Sequence, residues 1–168
     1  MAGKKINVKT KWGSKNTDQS IKISATTLGD AVKELNKLDE WGMFDGNIGY
    51  DYDTADDVVT EVRLAPKYTI KMPTWSGYDK APQACKDEWD RMYKALEEHE
   101  DGHRQILEDT LDTVEKYLGK ASDLSEKQFK ADYAKMMKTG QANQGKFDTS
   151  TGHGSKKGVD LTVTEECE

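Results

Sequence analysis

The 168-residue sequence has few of the residues that staple, break or fill a fold: two Cys, three Pro, three Phe and three His. Cys85 and Cys167 are too few for a disulfide framework, and either form one bridge in an oxidising compartment or remain two thiols. No run approaches the roughly 18 apolar residues of a membrane-spanning helix. An excess of positive charge is also missing. The 25 basic and 31 acidic residues leave a net charge of −6 and a sequence pI near 5.2, which argues against non-specific nucleic-acid binding. The opening MAGKKINVKTKW holds no apolar stretch and no small-residue cleavage site, so it does not read as a signal peptide. Leu, Ile, Val and Phe together number only 27, a level that accompanies disorder when net charge is large. Here the charges nearly cancel, and four Trp, seven Tyr and six Met add surface to bury. The length suits one domain, spanning 1–168, with a modest core and a charged exterior.

Residues 5–12 alternate, with Ile6, Val8, Thr10 and Trp12 on one side, as a half-buried strand does. A shorter alternation at 19–24 and the turn residues Gly13, Ser14 and Asn16 suggest a hairpin. Thr27 and Asp30 have capping-box spacing before Leu28, Val32, Leu35 and Leu38, predicting a short helix to about Asp39. Ile48, Tyr50 and Tyr52 alternate, as do Val58, Thr60, Val62 and Leu64. Tyr68, Ile70 and Met72 continue the pattern beyond Pro66, which suggests a bulge or an edge there. The acidic stretch Asp51 to Asp57 lacks calcium-loop spacing and reads as a solvated turn.

Helical periodicity follows from about 83 to 118. Trp89, Met92, Tyr93 and Leu96 form a stripe that resumes at Ile106, Leu107, Leu111, Val114 and Leu118. A second helix is predicted over 124–138, with Phe129 and Tyr133 on one face. Residues 140–168 read as a long C-terminal loop, because 140–158 are rich in Gly, Ser, Thr, Asn and Lys; Val159, Leu161 and Val163 suggest a last short strand. The N-terminal part, 1–75, supplies the sheet and the short helix.

The gap in the long helix's stripe carries the chemistry. It reads His99-Glu100-Asp101-Gly102-His103, the H-E-x-x-H pattern. Residues four apart share a helix face, so both imidazoles reach one ion. Glu100 is turned about 100 degrees from His99, beside that ion, where it serves as a general base toward water. Two ligands are too few. Asp123 and Glu126 stand where the next helix begins and are candidates, although acids are favoured at helix starts in any case. His153 is the other candidate, and a three-histidine site would use every His in the chain. Asp148 and Thr151 flank it; an Asp there orients a ligating imidazole or makes an Asx turn. Tyr133, Tyr93 and Arg104 are candidate oxyanion stabilisers. Trp75 and Trp89 read first as core aromatics.

Taken together, three segments resemble a bacterial domain-of-unknown-function family described as predicted, often secreted, zinc-dependent proteases. They are Tyr68-Thr-Ile-Lys-Met-Pro73-x-Trp75, Trp89 with the His99-Glu-x-x-His103 helix, and Phe147-Asp148-x-x-Thr151-x-His153-Gly154. The resemblance implies that His153 is the third metal ligand, and it implies a secreted or periplasmic location. The absence of a readable signal segment fits a cytoplasmic one as well.

The expectation is therefore an α+β, zincin-like domain: a small antiparallel sheet packed on the long active-site helix, with a second helix and the C-terminal loop closing over one zinc ion. The expected activity is hydrolysis of amide bonds in a protein or peptide substrate. The Tyr68–Met72 strand, if it lies at the sheet edge, is placed to pair with an extended peptide. The alternative is a non-enzymatic binding module in which a closed structural metal site staples the loop to the helix. No nucleic-acid partner and no membrane span are expected.

Overall fold

The computed structural model describes residues 3–168. In order, its elements are β1 (Asn7–Thr10), β2 (Lys15–Ile23), α1 (Leu28–Leu35), β3 (Met43–Ala55), β4 (Val58–Trp75), α2 (Gln83–Lys120) and α3 (Glu126–Thr151), with short 3-10 turns between and after them. The architecture is α+β, with a small open sheet and three helices. The chain forms two compact units. One takes the residues up to Lys15 with Gly46–Tyr68 and Arg104–Gly145; the other takes Asn16–Asp45, Thr69–His103 and Lys146–Glu168. Each unit is thus assembled from interleaved pieces of chain.

In the first unit β1 lies parallel to β4, with Asn7 opposite Glu61 and Thr10 opposite Leu64. β3 returns into β4 through Asp56 and Asp57, both left-handed with φ of 53° and 61°, the conformation a two-residue hairpin turn requires. The acidic residues near that turn are partnered, since Arg63 contacts Asp51 at 2.8 Å and Asp53 at 2.6 Å. Val59, Val62, Leu64, Val114, Leu118 and Phe129 form the core. The inward alternation of β4 slips by one between Val59 and Val62. Val59 donates its N–H to Leu124 O, which turns it inward in place of the expected Val58 and Thr60.

In the second unit β2 is held on β4, with Ser76 N–H donating to Ile23 O at 3.0 Å. Thr27 caps α1 as expected, its hydroxyl accepting from Asp30 N–H at 3.2 Å. Trp75 and Trp89 are core residues, their rings 5.4 Å apart, and Trp75 Nε1 donates to Ala25 O. Cys85 and Cys167 are disulfide-bonded. The C-terminal segment is also tied to α2 by Arg91, which donates to Gly158 O at 3.0 Å and pairs with Asp160 at 2.7 Å.

Several expectations are corrected. The sheet is not purely antiparallel, and β1 and β2 do not form a hairpin. Both lie along β4, because Lys11 N–H and Gly13 N–H donate to Leu64 O and Pro66 O and carry the chain onward beside that strand. Tyr68–Met72 is not an edge, since β4 is flanked by β3 on one path and by β1 and β2 on the other. Residues 159–163 form no strand.

The largest difference is α3, which continues to Thr151 through most of the expected loop. Gly and Asn weaken a helix, but tertiary contacts override them here. At Gly140 a Cβ would come within 2.6 Å of Thr110 Oγ1, so the missing side chain permits a close approach. The hydroxyls of Thr139, Ser150 and Thr151 bond back to carbonyls three or four residues earlier, which satisfies them inside the helix. Among the described residues no helix is long and apolar enough to cross a membrane.

Candidate metal centre

The candidate site lies wholly in the second unit. Along α2 the inward stripe Met92, Leu96, His99 and His103 is buried throughout, as a spacing of four, three and four residues on one helix demands. The imidazoles therefore occupy positions where leucines would otherwise pack. Glu100 is buried as well, with 3% of its surface exposed. Gly42 packs closely beside it: a Cβ there would lie 2.8 Å from Glu100 Oε1 and 2.9 Å from Leu96 Cδ1.

The extended α3 brings Asp148 to the two histidines. Its Oδ1 is 2.9 Å from His103 Nε2 and 3.5 Å from His99 Nε2. Among the described residues these three form a group whose donor atoms all lie within 4.8 Å of one another. His153 stands beyond the helix end, its Nδ1 3.9 Å from the same Asp148 oxygen and its side chain 67% exposed. Three successive left-handed residues make that turn, Gly152, His153 and Gly154, with φ of 59°, 52° and 84°. Thr151, which is buried, donates to Phe147 O at 2.8 Å and accepts from Gly154 N–H, so it shapes the turn that carries His153.

The electrostatics follow from burial. Glu100 is pushed up to about 8, mainly by loss of water and then by the negative charges of Glu40 and Asp148. Burial, followed by the nearby His103, holds His99 below the usual histidine range. A neutral imidazole is the form that binds a metal. Two imidazole nitrogens and one carboxylate oxygen converging within 4.8 Å match the chemistry of a zinc donor set.

The other sequence candidates have different partners. Tyr133 belongs to the first unit, where its hydroxyl donates to Ile48 O and burial pushes its pKa up to about 12. Glu126 pairs with Lys130 at 2.6 Å and accepts from Tyr52 OH, and Asp123 accepts from Lys4 N–H at 3.0 Å. Arg104 pairs with Glu108 at 2.8 Å. Tyr93 OH accepts from Gln19 at 3.4 Å.

Sequence reasoning gave Asp148 only a flanking role and assigned none to Gly102 or Phe147. Gly102 sits inside a 38-residue helix, where glycine costs about 1 kcal/mol against alanine. A Cβ there would come within 2.4 Å of Phe147 Cζ, so the residue makes room for that ring. The available signal was the spacing Tyr133, Met136, Gly140, Gln144, Phe147 and Thr151, at three- and four-residue steps. Each of these is buried or half-buried.

An α+β protein with two helix-borne histidines, a buried glutamate between them and a converging carboxylate is thereby defined. The chain belongs to DUF922, a family of bacterial proteins of unknown function, whose family model matches residues 15–154. No curated protein and no solved structure matches it.

Proposed function

We propose that the protein is a zinc-dependent peptidase of the H-E-x-x-H type, binding one zinc ion per chain in a zincin-like site. The observation that carries this reading is the convergence of His99 Nε2, His103 Nε2 and Asp148 Oδ1 beside the buried Glu100. His99 and His103 hold the ion from α2, and Asp148 serves as third donor from α3. A zinc ion in such a site supplies an activated water and polarises a scissile carbonyl.

Glu100 does the proton work. Buried beside two other acids, it holds its proton more tightly than an ordinary carboxyl. Positive charge placed among His99, His103 and Asp148 favours its ionised form. As a carboxylate it takes a proton from the attacking water and passes it to the leaving amine.

A specific observation favours a second reading. His153 Nδ1 is only 3.9 Å from Asp148 Oδ1, so a small movement of the turn makes it a fourth donor. A site closed in this way keeps no position for water and is structural, as a binding module would use. X-ray absorption on the zinc-loaded protein, joined to cleavage of a mixed peptide library, separates the two. Three protein donors plus water, with cleavage lost in Glu100→Gln, supports the peptidase. Four protein donors without cleavage supports the structural site, and failure to take up zinc overturns both.

A further inference from the structure

We infer that Phe147, seated on Gly102, is the positioning residue that holds His99 and His103 in metal-binding orientation. The inference rests on the reading of the site as a metal centre. A ligating imidazole is ordinarily aimed by a hydrogen bond from its second ring nitrogen. His99 has no such bond: its Nδ1 is buried and finds no hydrogen-bond partner among the described residues. Its orientation has to come from packing.

Phe147 supplies that packing. Its ring stacks on His99 with centroids 5.1 Å apart and planes 15° from parallel. The same ring meets His103 edge-on, at 5.0 Å and 84°. Both geometries are favourable for aromatic pairs. The His99 and His103 rings are themselves 4.9 Å apart at 83°, and Phe44 stacks on His103 at 6.0 Å and 19°, so His99 depends on Phe147 for its stacking partner while His103 has a second one.

The seat is sterically defined. A Cβ on Gly102 would come within 2.4, 2.9 and 3.1 Å of Phe147 Cζ, Cε1 and Cε2. Three ring carbons therefore press against the backbone of α2, and any side chain at 102 displaces them. Phe147 also precedes Asp148 in the chain. Seating the ring sets the end of α3 so that Asp148 Oδ1 falls 2.9 and 3.5 Å from the two Nε2 atoms. The residue between Asp101 and His103 in the motif is thus constrained to glycine by a ring from another helix.

The experiment uses the full disulfide-bonded chain and a double-variant cycle of Gly102→Ala, Phe147→Leu and both together. Zinc affinity is measured by chelator competition, and the cobalt-substituted site by its visible spectrum. Each single change is expected to weaken zinc by about 10- to 100-fold, the range for losing a group that orients ligands, and to alter the cobalt bands. The double variant is expected to bind more tightly than Gly102→Ala alone, because the smaller side chain leaves room for the added methyl. Wild-type affinity in Gly102→Ala, or factors that simply multiply in the double variant, overturns the inference. The ring protons of His99 and His103 provide a second readout in metal-free protein. The part of the His99 ring-current shift that comes from the stacked Phe147 ring is expected in the native chain and should be lost in Phe147→Leu and altered in Gly102→Ala. The parts from the facing His103 ring and, at His103, from Phe44 remain. Should the native chain take up no zinc, the metal reading fails, and the Phe147-dependent part of the shift then decides only whether Phe147 orients the imidazoles: its loss in Phe147→Leu supports that, and an unchanged shift overturns it.

Discussion

Asp148 Oδ1 stands 2.9 Å from His103 Nε2, closer than it stands to His99 or His153. A carboxylate so placed converges with the two helix-borne histidines and is the proposed third donor. Asp148→Asn is therefore expected to weaken zinc binding by about 100-fold or more, exceeding the usual cost of an outer partner. His153→Ala should cost less, because that side chain is largely exposed. Competition with a chelator of known affinity ranks the two variants. The reverse order would return the third ligand position to His153.

On the proposed peptidase reading, Glu100→Gln removes the general base but leaves His99, His103 and Asp148 in place. Zinc should stay bound while peptide cleavage falls to background. Elemental analysis beside a cleavage assay checks both at once. Joint loss of metal and activity would make Glu100 a ligand or a structural acid.

The buried acid also sets a pH dependence for the metal-free protein. Glu100 has a pKa of about 8 in the fold against 4.5 for an ordinary glutamate. Between these values the folded state binds more protons than the unfolded state, so stability falls as pH rises, and the full penalty is present above about 8. His99 acts oppositely. Its lowered pKa makes the unfolded state bind more protons below the usual 6.5, so its penalty grows toward acid and is absent above that value. The melting temperature of metal-free Glu100→Gln should therefore exceed that of the native chain by a margin widening from pH 5 to 9. A margin that does not change with pH contradicts the assignment.

The Cys85–Cys167 disulfide joins residues 82 apart in sequence. Closing a loop of that size restricts the unfolded chain, and its loss costs about 2–5 kcal/mol. Reduction, or Cys85→Ser, should lower the melting temperature and expose the segment that Arg91 and Glu88 otherwise hold through Gly158, Asp160 and Thr162. Calorimetry with and without reductant, followed by limited proteolysis, tests this. Equal melting in both conditions would mean that the other ties suffice.

What the sequence disclosed followed the strength of its periodic patterns. The α2 stripe and its interruption at His99 and His103 were legible because apolar spacing and motif coincide on one helix. The Thr27 cap was legible because it depends on residues three apart. By contrast, the course of α3 was hidden. Gly140, Asn143, Gly145 and Ser150 carry loop chemistry locally, and the helix is held through them by packing on its inward face, such as Thr110 against Gly140 and Phe147 against Gly102. That misreading displaced Asp148, because a loop residue has no register from which to infer convergence on His103. The path of β1 beside β4 was equally hidden: Gly13 and Asn16 suit a hairpin turn, yet Gly13 N–H is bonded to Pro66 O.

Everything proposed for this site depends on whether His99, His103 and Asp148 hold a metal. Zinc per chain, measured by elemental mass spectrometry on protein prepared without chelators or a histidine tag, tests it most directly. Close to one zinc is expected in the native chain, near zero in a His99→Ala, His103→Ala double variant, and about one in Glu100→Gln. A native chain that carries no zinc, and takes none up when it is added, would contradict the metal reading and leave the two histidines as core residues of α2.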